Sequence, residues 1–295
     1  MKTPLQSLLI LGCGYLGIRL ARQAISNGWH VGALTHNPRT GEQLVSTGLQ
    51  TTIVAELNTD SWHASLSPAD WSVVVNCVGS GSGTIEGYRS SYVDGMRSIM
   101  EWKTRDSSAS KFIYTSSASV YGDFKGAWID EAVSTLPASP QGDIILESER
   151  MITASSNPFQ NWFILRLGGL YGPERDAFLR NRIPDPNARS DPHLNLIHVD
   201  DAVAAILRLA EHQTIIQSGI YNLTDNHPTP RSLIDQWALS RIREDYPVQP
   251  NELRANQSKR RSSQRPDRRI SSSAFMKATG WEPLRLPPFA TASRD

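Results

Sequence analysis

An α/β fold built on a doubly wound parallel sheet is what this sequence predicts, and three observations predict it. Short apolar runs alternate with helical patterns through the first half of the chain, the signature of parallel strands covered on both faces. Three glycines, Gly12, Gly14 and Gly17, follow the first apolar run and open the first helical pattern. Beyond Leu167 the alternation gives way to an irregular stretch rich in Pro, Asn and Arg, which marks a smaller C-terminal lobe. Residues 1–167 are therefore expected to form the sheet domain, and 168–295 mostly a substrate-binding lobe interleaved with the end of the sheet.

Ser7 to Leu11 is the first strand. Lys2 precedes this stretch, yet Gly12 and Gly14 break it and Arg19 and Arg22 follow, so it reads as a buried strand and not as a signal peptide. A helix runs from the glycine turn to about Asn27, where Gly28 supplies the stop signal. Trp29 to Thr35, Thr51 to Ala55 and Trp71 to Val78 read as the second, third and fourth strands, the last carrying the β-branched run Val73-Val74-Val75. A helix from about Ile85 to Lys103 leads to the fifth strand, Lys111 to Thr115. Ser139 before Pro140 is a good helix start, because the serine hydroxyl accepts from a free N–H and proline at the first position has none to lose. That helix runs to about Ser155, and Trp162 to Leu167 is the sixth strand. In the lobe, Val199, Ala202, Val203, Ile206, Leu207 and Ala210 follow helical spacing. A strand at Ile220 to Leu223, a turn at Asp225 to Thr229, a helix from Ser232 to Asp245 and a short one from Ala274 to Thr279 complete the expectation.

Composition narrows the function classes. At 295 residues and 39% hydrophobic content the chain can bury a full core. A net charge of +1 supplies no chain-wide cationic surface, so nucleic acid is not expected as a partner. The local exception is the segment 254–269, where Arg254, Lys259, Arg260, Arg261, Arg265, Arg268 and Arg269 are opposed only by Asp267. Without interleaved aromatic residues this tract reads as a loop over an anionic cofactor or substrate, or as solvated surface. Scattered histidines with no ligand spacing argue against a metal. Cys13 and Cys77 fall at the ends of buried strands and imply no disulfide framework. No stretch approaches the roughly 18 apolar residues of a membrane span. A cytoplasmic protein acting on a small molecule, as a monomer or homodimer and without a membrane partner, is expected.

Gly12-Cys13-Gly14-Tyr15-Leu16-Gly17 has the strand-turn-helix context of a dinucleotide loop. Gly12 allows the tight exit from the strand, Gly14 lets backbone N–H groups approach a pyrophosphate, and Gly17 lets the helix sit close to the sheet. In such Rossmann-type folds the end of the second strand selects the cofactor, an acidic residue bonding the adenosine ribose and an arginine accommodating a 2′-phosphate. Thr35-His36-Asn37-Pro38-Arg39 has no carboxylate, so Arg39, helped by His36, favours NADP over NAD. Glu56 and Leu57, just past the third strand, are counted with the cofactor-binding residues.

Thr115-Ser116-Ser117-Ala118-Ser119-Val120-Tyr121-Gly122 begins at the carboxyl end of the fifth strand, where open parallel sheets place ligands. With the glycine loop, this string resembles the extended short-chain dehydrogenase/reductase superfamily, the NAD-dependent epimerase/dehydratase group. Arg166-Leu167-Gly168-Gly169-Leu170-Tyr171-Gly172-Pro173 is similar to the strand and turn after that family's catalytic helix. Ile197 to Val203 is similar to its substrate-lobe helix start, and Tyr221-Asn222-Leu223 to its late strand. The similarity runs from about residue 7 to 245, and Gly280-Trp281-Glu282-Pro283 resembles the closing segment.

The resemblance implies a serine beside a tyrosine and a lysine, with an asparagine on an earlier helix; tyrosine moves the proton and lysine lowers its pKa. Ser117 matches the serine, and Asp94 falls at the asparagine. Aligning Pro140 to Glu149 with the family's helix places Gln141 at the tyrosine and Ile145 at the lysine. Gln141 can donate a hydrogen bond to a substrate carbonyl but cannot deliver a proton, and Ile145 cannot raise the acidity of anything. Poor retention of this pair marks the atypical members, which this chain resembles. Tyr121 and Lys125 are four apart, but the glycines at 122 and 126 argue against a helix, so Tyr121 is kept as a substrate-pocket residue. Asp143, Glu147 and His198 are replacement proton donors, or else solvated helix charges and a helix-start hydrogen bond. Two functions follow as expectations. One is an oxidoreductase or epimerase moving hydride between NADP and a hydroxyl or carbonyl of a small or sugar-like substrate held by Ser117, Gln141 and Tyr121. The other is a non-catalytic module that senses NADP or NADPH.

Overall fold

A computed structural model describes residues 6–108, 110–175, 190–211, 216–245, 266–287 and 289. Alternating burial in the first strand fixes the layers. In β1 (Ser7–Leu11), Leu8 and Ile10 point into one core cluster while Leu9 and Leu11 point into a second on the opposite face. The same two-sided burial extends to β2 (His30–Thr35), β4 (Val73–Asn76), β5 (Lys111–Ser117) and β7 (Asn161–Leu167), while the outer strands β3 (Thr51–Val54) and β11 (Gly219–Leu223) are largely half-buried. They form one parallel sheet in the order β3-β2-β1-β4-β5-β7-β11. Because β1 has β2 on one side and β4 on the other, the strand order reverses there, and a crevice opens past the carboxyl ends of β1 and β4.

Helix α1 (Tyr15–Ser26) covers the first face together with α6 (Val199–Glu211), which follows from the lobe half of the chain. β11, also from that half, closes the sheet beside β7. On the second face α3 (Ile85–Tyr88) and α4 (Gly95–Lys103) are one continuous rod interrupted by a π turn at Arg89–Asp94. The sequence pattern predicts an unbroken α-helix there; the extra residue of the π turn rotates Tyr92 relative to Asp94. α2 (Pro38–Ser46) and α5 (Pro140–Thr153) start at Asn37 and Ser139, whose side chains accept from the first free N–H groups.

The smaller lobe is held by two-residue and three-residue ladders that the sequence pattern does not reveal. β6 (Trp128–Ile129) pairs with β13 (Arg269–Ile270), β8 (Gly169–Tyr171) with β10 (Leu196–His198), and β9 (His193–Leu194) with β12 (Thr229–Pro230). α7 (Arg231–Asp245) and α8 (Ser273–Thr279) complete it. Of the basic tract, residues 254–265 lie outside the described residues. Among the described residues no helix is long and apolar enough to cross a membrane.

Sheet and lobe meet at a buried polar network. Arg166, on β7, donates from Nε to Glu149 Oε1 at 3.1 Å and from Nη2 to Glu149 Oε2 at 2.7 Å, with both side chains at most 4% exposed. Ser116 donates to the same carboxylate at 2.5 Å. The third guanidinium nitrogen donates to the Tyr121 hydroxyl at 2.9 Å, and that hydroxyl donates to Asn222 Oδ1, on β11, at 2.8 Å. Removing one partner of such a pair leaves an uncompensated buried charge. Arg166→Met is therefore expected to cost about 3–5 kcal/mol in a urea titration, while a double replacement with Glu149→Leu recovers part of it.

Asp225, just after β11, is fully buried; its Oδ1 accepts from His227 N–H at 2.9 Å and its Oδ2 has no partner among the described residues. Burial, reinforced by the nearby Asp201 carboxylate, pushes its carboxyl from the ordinary 3.8 up to about 7. Through that window the folded protein holds a proton that the unfolded chain has released. Stability should thus fall as pH rises from about 4 to about 7 and then level off, with each unit worth at most about 1.4 kcal/mol. Urea midpoints across this range should show a shallower fall in Asp225→Asn than in the parent.

Candidate functional site

The glycine loop closes around one close approach. Gly12 has φ +91°, and a Cβ there would lie 2.5 Å from Val78 Cγ2 and 2.7 Å from Val78 N. A Cβ on Gly17 would lie 2.4 Å from the Gly12 carbonyl oxygen, so this glycine sets how near α1 comes to β1. Gly14 is different: among the described residues nothing lies within 4 Å of where its Cβ would be. Open space thus stands over the N-terminus of α1, which has no side-chain cap and no acidic residue in its first turn. The first rung of the helix is Ile18 N–H to Gly14 O at 3.0 Å, so the N–H groups of Tyr15, Leu16 and Gly17 precede it. These features fit the pyrophosphate of a dinucleotide. Leu16 is buried and contributes backbone. The Tyr15 ring turns away to the lobe, where its hydroxyl donates to the Pro173 carbonyl at 3.0 Å beneath the Arg19 guanidinium.

At the end of β2, Asn37 is used as the cap of α2, accepting from Arg39 N–H at 3.0 Å. His36 and the Arg39 side chain are exposed, and among the described residues Arg39 has no ion pair. Past β3, Glu56 is exposed, whereas Leu57 is buried against Gly95 and belongs to the core of the second face. Cys13 and Cys77 are free, Cys13 buried and Cys77 partly so; burial raises both thiols, Cys77 to about 12.

Beyond the crevice lies a cavity of about 520 Å³ whose wall includes Ser117, Ser119, Gly168, His193, Asn195 and Arg268. Ser117 ends β5 and accepts from Ser119 N–H at 3.1 Å, which leaves its own proton free for a ligand. Arg268 is anchored by its two terminal nitrogens on the Gly122 and Ala118 carbonyls, at 3.1 and 3.0 Å, and its Nε is buried without a partner among the described residues. Burial lowers its pKa.

The other expected site residues do not converge here. Tyr121 is fully buried and its hydroxyl is committed to Arg166 and Asn222; burial raises its pKa, and it is a strut behind the cavity and not a pocket residue. Gln141 sits half-buried in the first turn of α5 and, among the described residues, is not part of the cavity wall. Ile145 fills an apolar cluster with Tyr121 and Val120. Lys125 has φ +54° outside any helix and pairs with Asp123 at 2.8 Å. Glu147 forms a two-pronged pair with Arg89, and His198 Nδ1 accepts from Asp200 N–H at 3.2 Å, its helix-start role. Asp94 pairs with Arg97 at 2.8 Å. The residue of the π turn that reaches the loop after β4 is Tyr92, whose hydroxyl lies near Gly79. His193 and Asn195 escaped the sequence reading because their partners Asp267 and Arg268 are more than seventy positions away.

Comparison with known proteins agrees with this geometry. The model of the NAD dependent epimerase/dehydratase family matches residues 8–224. The Escherichia coli K12 protein YeeZ is 27% identical over 242 residues, 79% of this chain and 83% of that protein. A Methylobacillus flagellatus structure whose name places it with the NAD-dependent epimerase/dehydratases is 26% identical, covers 97% of this chain and 96% of that one, and superposes with TM-score 0.73. MoeE5, solved with UDP-glucuronic acid and NAD, is 19% identical over 95% of this chain and 94% of that one, with TM-score 0.76, a likeness of fold.

The two glycine environments separate in a variant pair. Gly14→Val fills open space only, so dinucleotide affinity should drop at least about tenfold by calorimetry with the melting temperature unchanged. Gly12→Ala, strained by its backbone and by Val78, should lower both.

Proposed function

The chain belongs to the NAD dependent epimerase/dehydratase family, and from that premise we propose that it binds NADP in the crevice past β1 and β4 and oxidises or epimerises a small, sugar-like substrate in the adjoining cavity. The observation that carries the cofactor reading is the open, uncapped helix start over Gly14. That carrying the choice of NADP is the end of β2, where Thr35 to Arg39 includes no carboxylate and the Arg39 guanidinium is unpaired among the described residues. When bound, the dinucleotide supplies a hydride acceptor or donor. Ser117 would hold the substrate oxygen through its free hydroxyl proton, and Arg268, anchored on two carbonyls, gives the cavity a fixed positive wall suited to an anionic or polyhydroxylated molecule. The volume, about 520 Å³, accommodates a sugar. Two free thiols fit a cytoplasmic setting.

One observation favours a second reading. Ile145 is sealed in an apolar cluster and Tyr121 is tied on both sides, so the family's titrating pair has no counterpart at its expected position. On this reading the molecule senses NADP or NADPH without turnover.

Calorimetry with NADP and NAD tests the cofactor: Arg39→Ala is expected to weaken NADP about tenfold and leave NAD unchanged, and equal effects on both would sink the NADP assignment. Incubation with NADP and UDP-glucose or UDP-glucuronic acid, followed by absorbance and NMR, tests turnover. Loss of turnover in Ser117→Ala supports the enzyme; binding with no turnover of any sugar nucleotide favours the sensor.

A further inference from the structure

We propose that His193, oriented by Asp267, is the proton acceptor and donor of the cavity, in place of the tyrosine that Gln141 does not replace. The proposal rests on the enzyme reading above. His193 lines the same cavity as Ser117, Ser119 and Arg268. It is held twice by one carboxylate oxygen: its backbone N–H and its ring Nδ1 both lie 2.9 Å from Asp267 Oδ1. The two side chains are 17% and 27% exposed, so the ring is screened but still open to the cavity. Asp267 is itself fixed in place, since its backbone N–H donates to Asp123 and its carbonyl accepts from Phe124 and Gly126.

The protonation state follows from the partner. Burial alone would raise the Asp267 carboxyl, yet the two bonds from His193 hold it below the ordinary value, so the carboxylate is ionised and can only accept. Nδ1 must therefore carry the ring proton, which leaves the Nε2 lone pair as the end of the imidazole that is free among the described residues. In the oxidative direction the substrate O–H bond breaks and its proton passes to Nε2, as the C–O bond becomes a carbonyl. When bound, the oxidised dinucleotide would supply the acceptor for the carbon's hydrogen and both its electrons. The imidazolium formed is stabilised by the Asp267 carboxylate, and reduction returns the same proton. The competing groups are engaged elsewhere: Tyr121 in the buried network, Glu147 with Arg89, Asp94 with Arg97 and His198 at its helix start.

Ring-nitrogen NMR of the full chain decides the dyad without cofactor. The Nδ1–H form of His193 is expected, and Asp267→Asn, which replaces the obligate acceptor, should populate the Nε2–H form. With NADP and UDP-glucose or UDP-glucuronic acid, His193→Gln is expected to lose at least about 100-fold in kcat while its NADP affinity stays within about twofold. Wild-type kcat in His193→Gln, or an Nε2–H ring in the parent protein, overturns the assignment. Failure of the parent to bind any dinucleotide would instead overturn the preceding reading, and the ring tautomer would still support or remove the dyad.

Discussion

Two opposite charges, Glu149 and Arg166, are sealed between α5 and β7, and the junction of sheet and lobe depends on them. Desolvating two ions is costly, so each remaining lone pair and N–H must find a partner. Ser116 fills one such place from β5, Tyr121 another, and Asn222 continues the chain to β11, where its backbone N–H meets Glu131 and its amide meets the Ser271 carbonyl. One ion pair thus links the fifth, seventh and eleventh strands to the closing segment of the molecule.

That network also explains what the neighbouring residues can do chemically. A phenol that donates to Asn222, accepts from Arg166 and is fully buried is held away from the cavity, whatever its position in sequence. Ile145 belongs to the same neighbourhood, buried with Tyr121 and Val120 one turn past the half-buried Gln141. A lysine there would have to be charged among apolar groups, which is unfavourable without a carboxylate beside it. Core side chains thus occupy the position at which the resemblance implies a titrating pair, and the polar lining of the cavity includes Ser117, His193 and Arg268.

How much of this was legible in the sequence depends on distance along the chain. β1, α1 and the glycine turn could be read because their signals are contiguous: four buried leucine and isoleucine residues, then glycines at fixed offsets. The Ser139-Pro140 start of α5 and the absence of a carboxylate after β2 were likewise local. The π turn was not, since an inserted residue leaves the apolar spacing of Ile85 to Lys103 nearly intact, yet it decides that Tyr92 and not Asp94 reaches the loop after β4. The two-residue ladders of the lobe are too short to carry a period. His193 looked like one scattered histidine and Asp267 like the lone acid in a basic tract; only folding brings the imidazole onto the carboxylate.

The pairing of β6 with β13 has a consequence in time. Every residue that shapes the glycine loop, from β1 to Val78, is made early, whereas the cavity lacks a wall until Arg268 and β13 have been synthesised. At roughly 5–20 residues per second, a growing chain spends on the order of tens of seconds between Val78 and Arg268. The glycine loop and the cavity wall thus leave the ribosome at separate times, with the loop first.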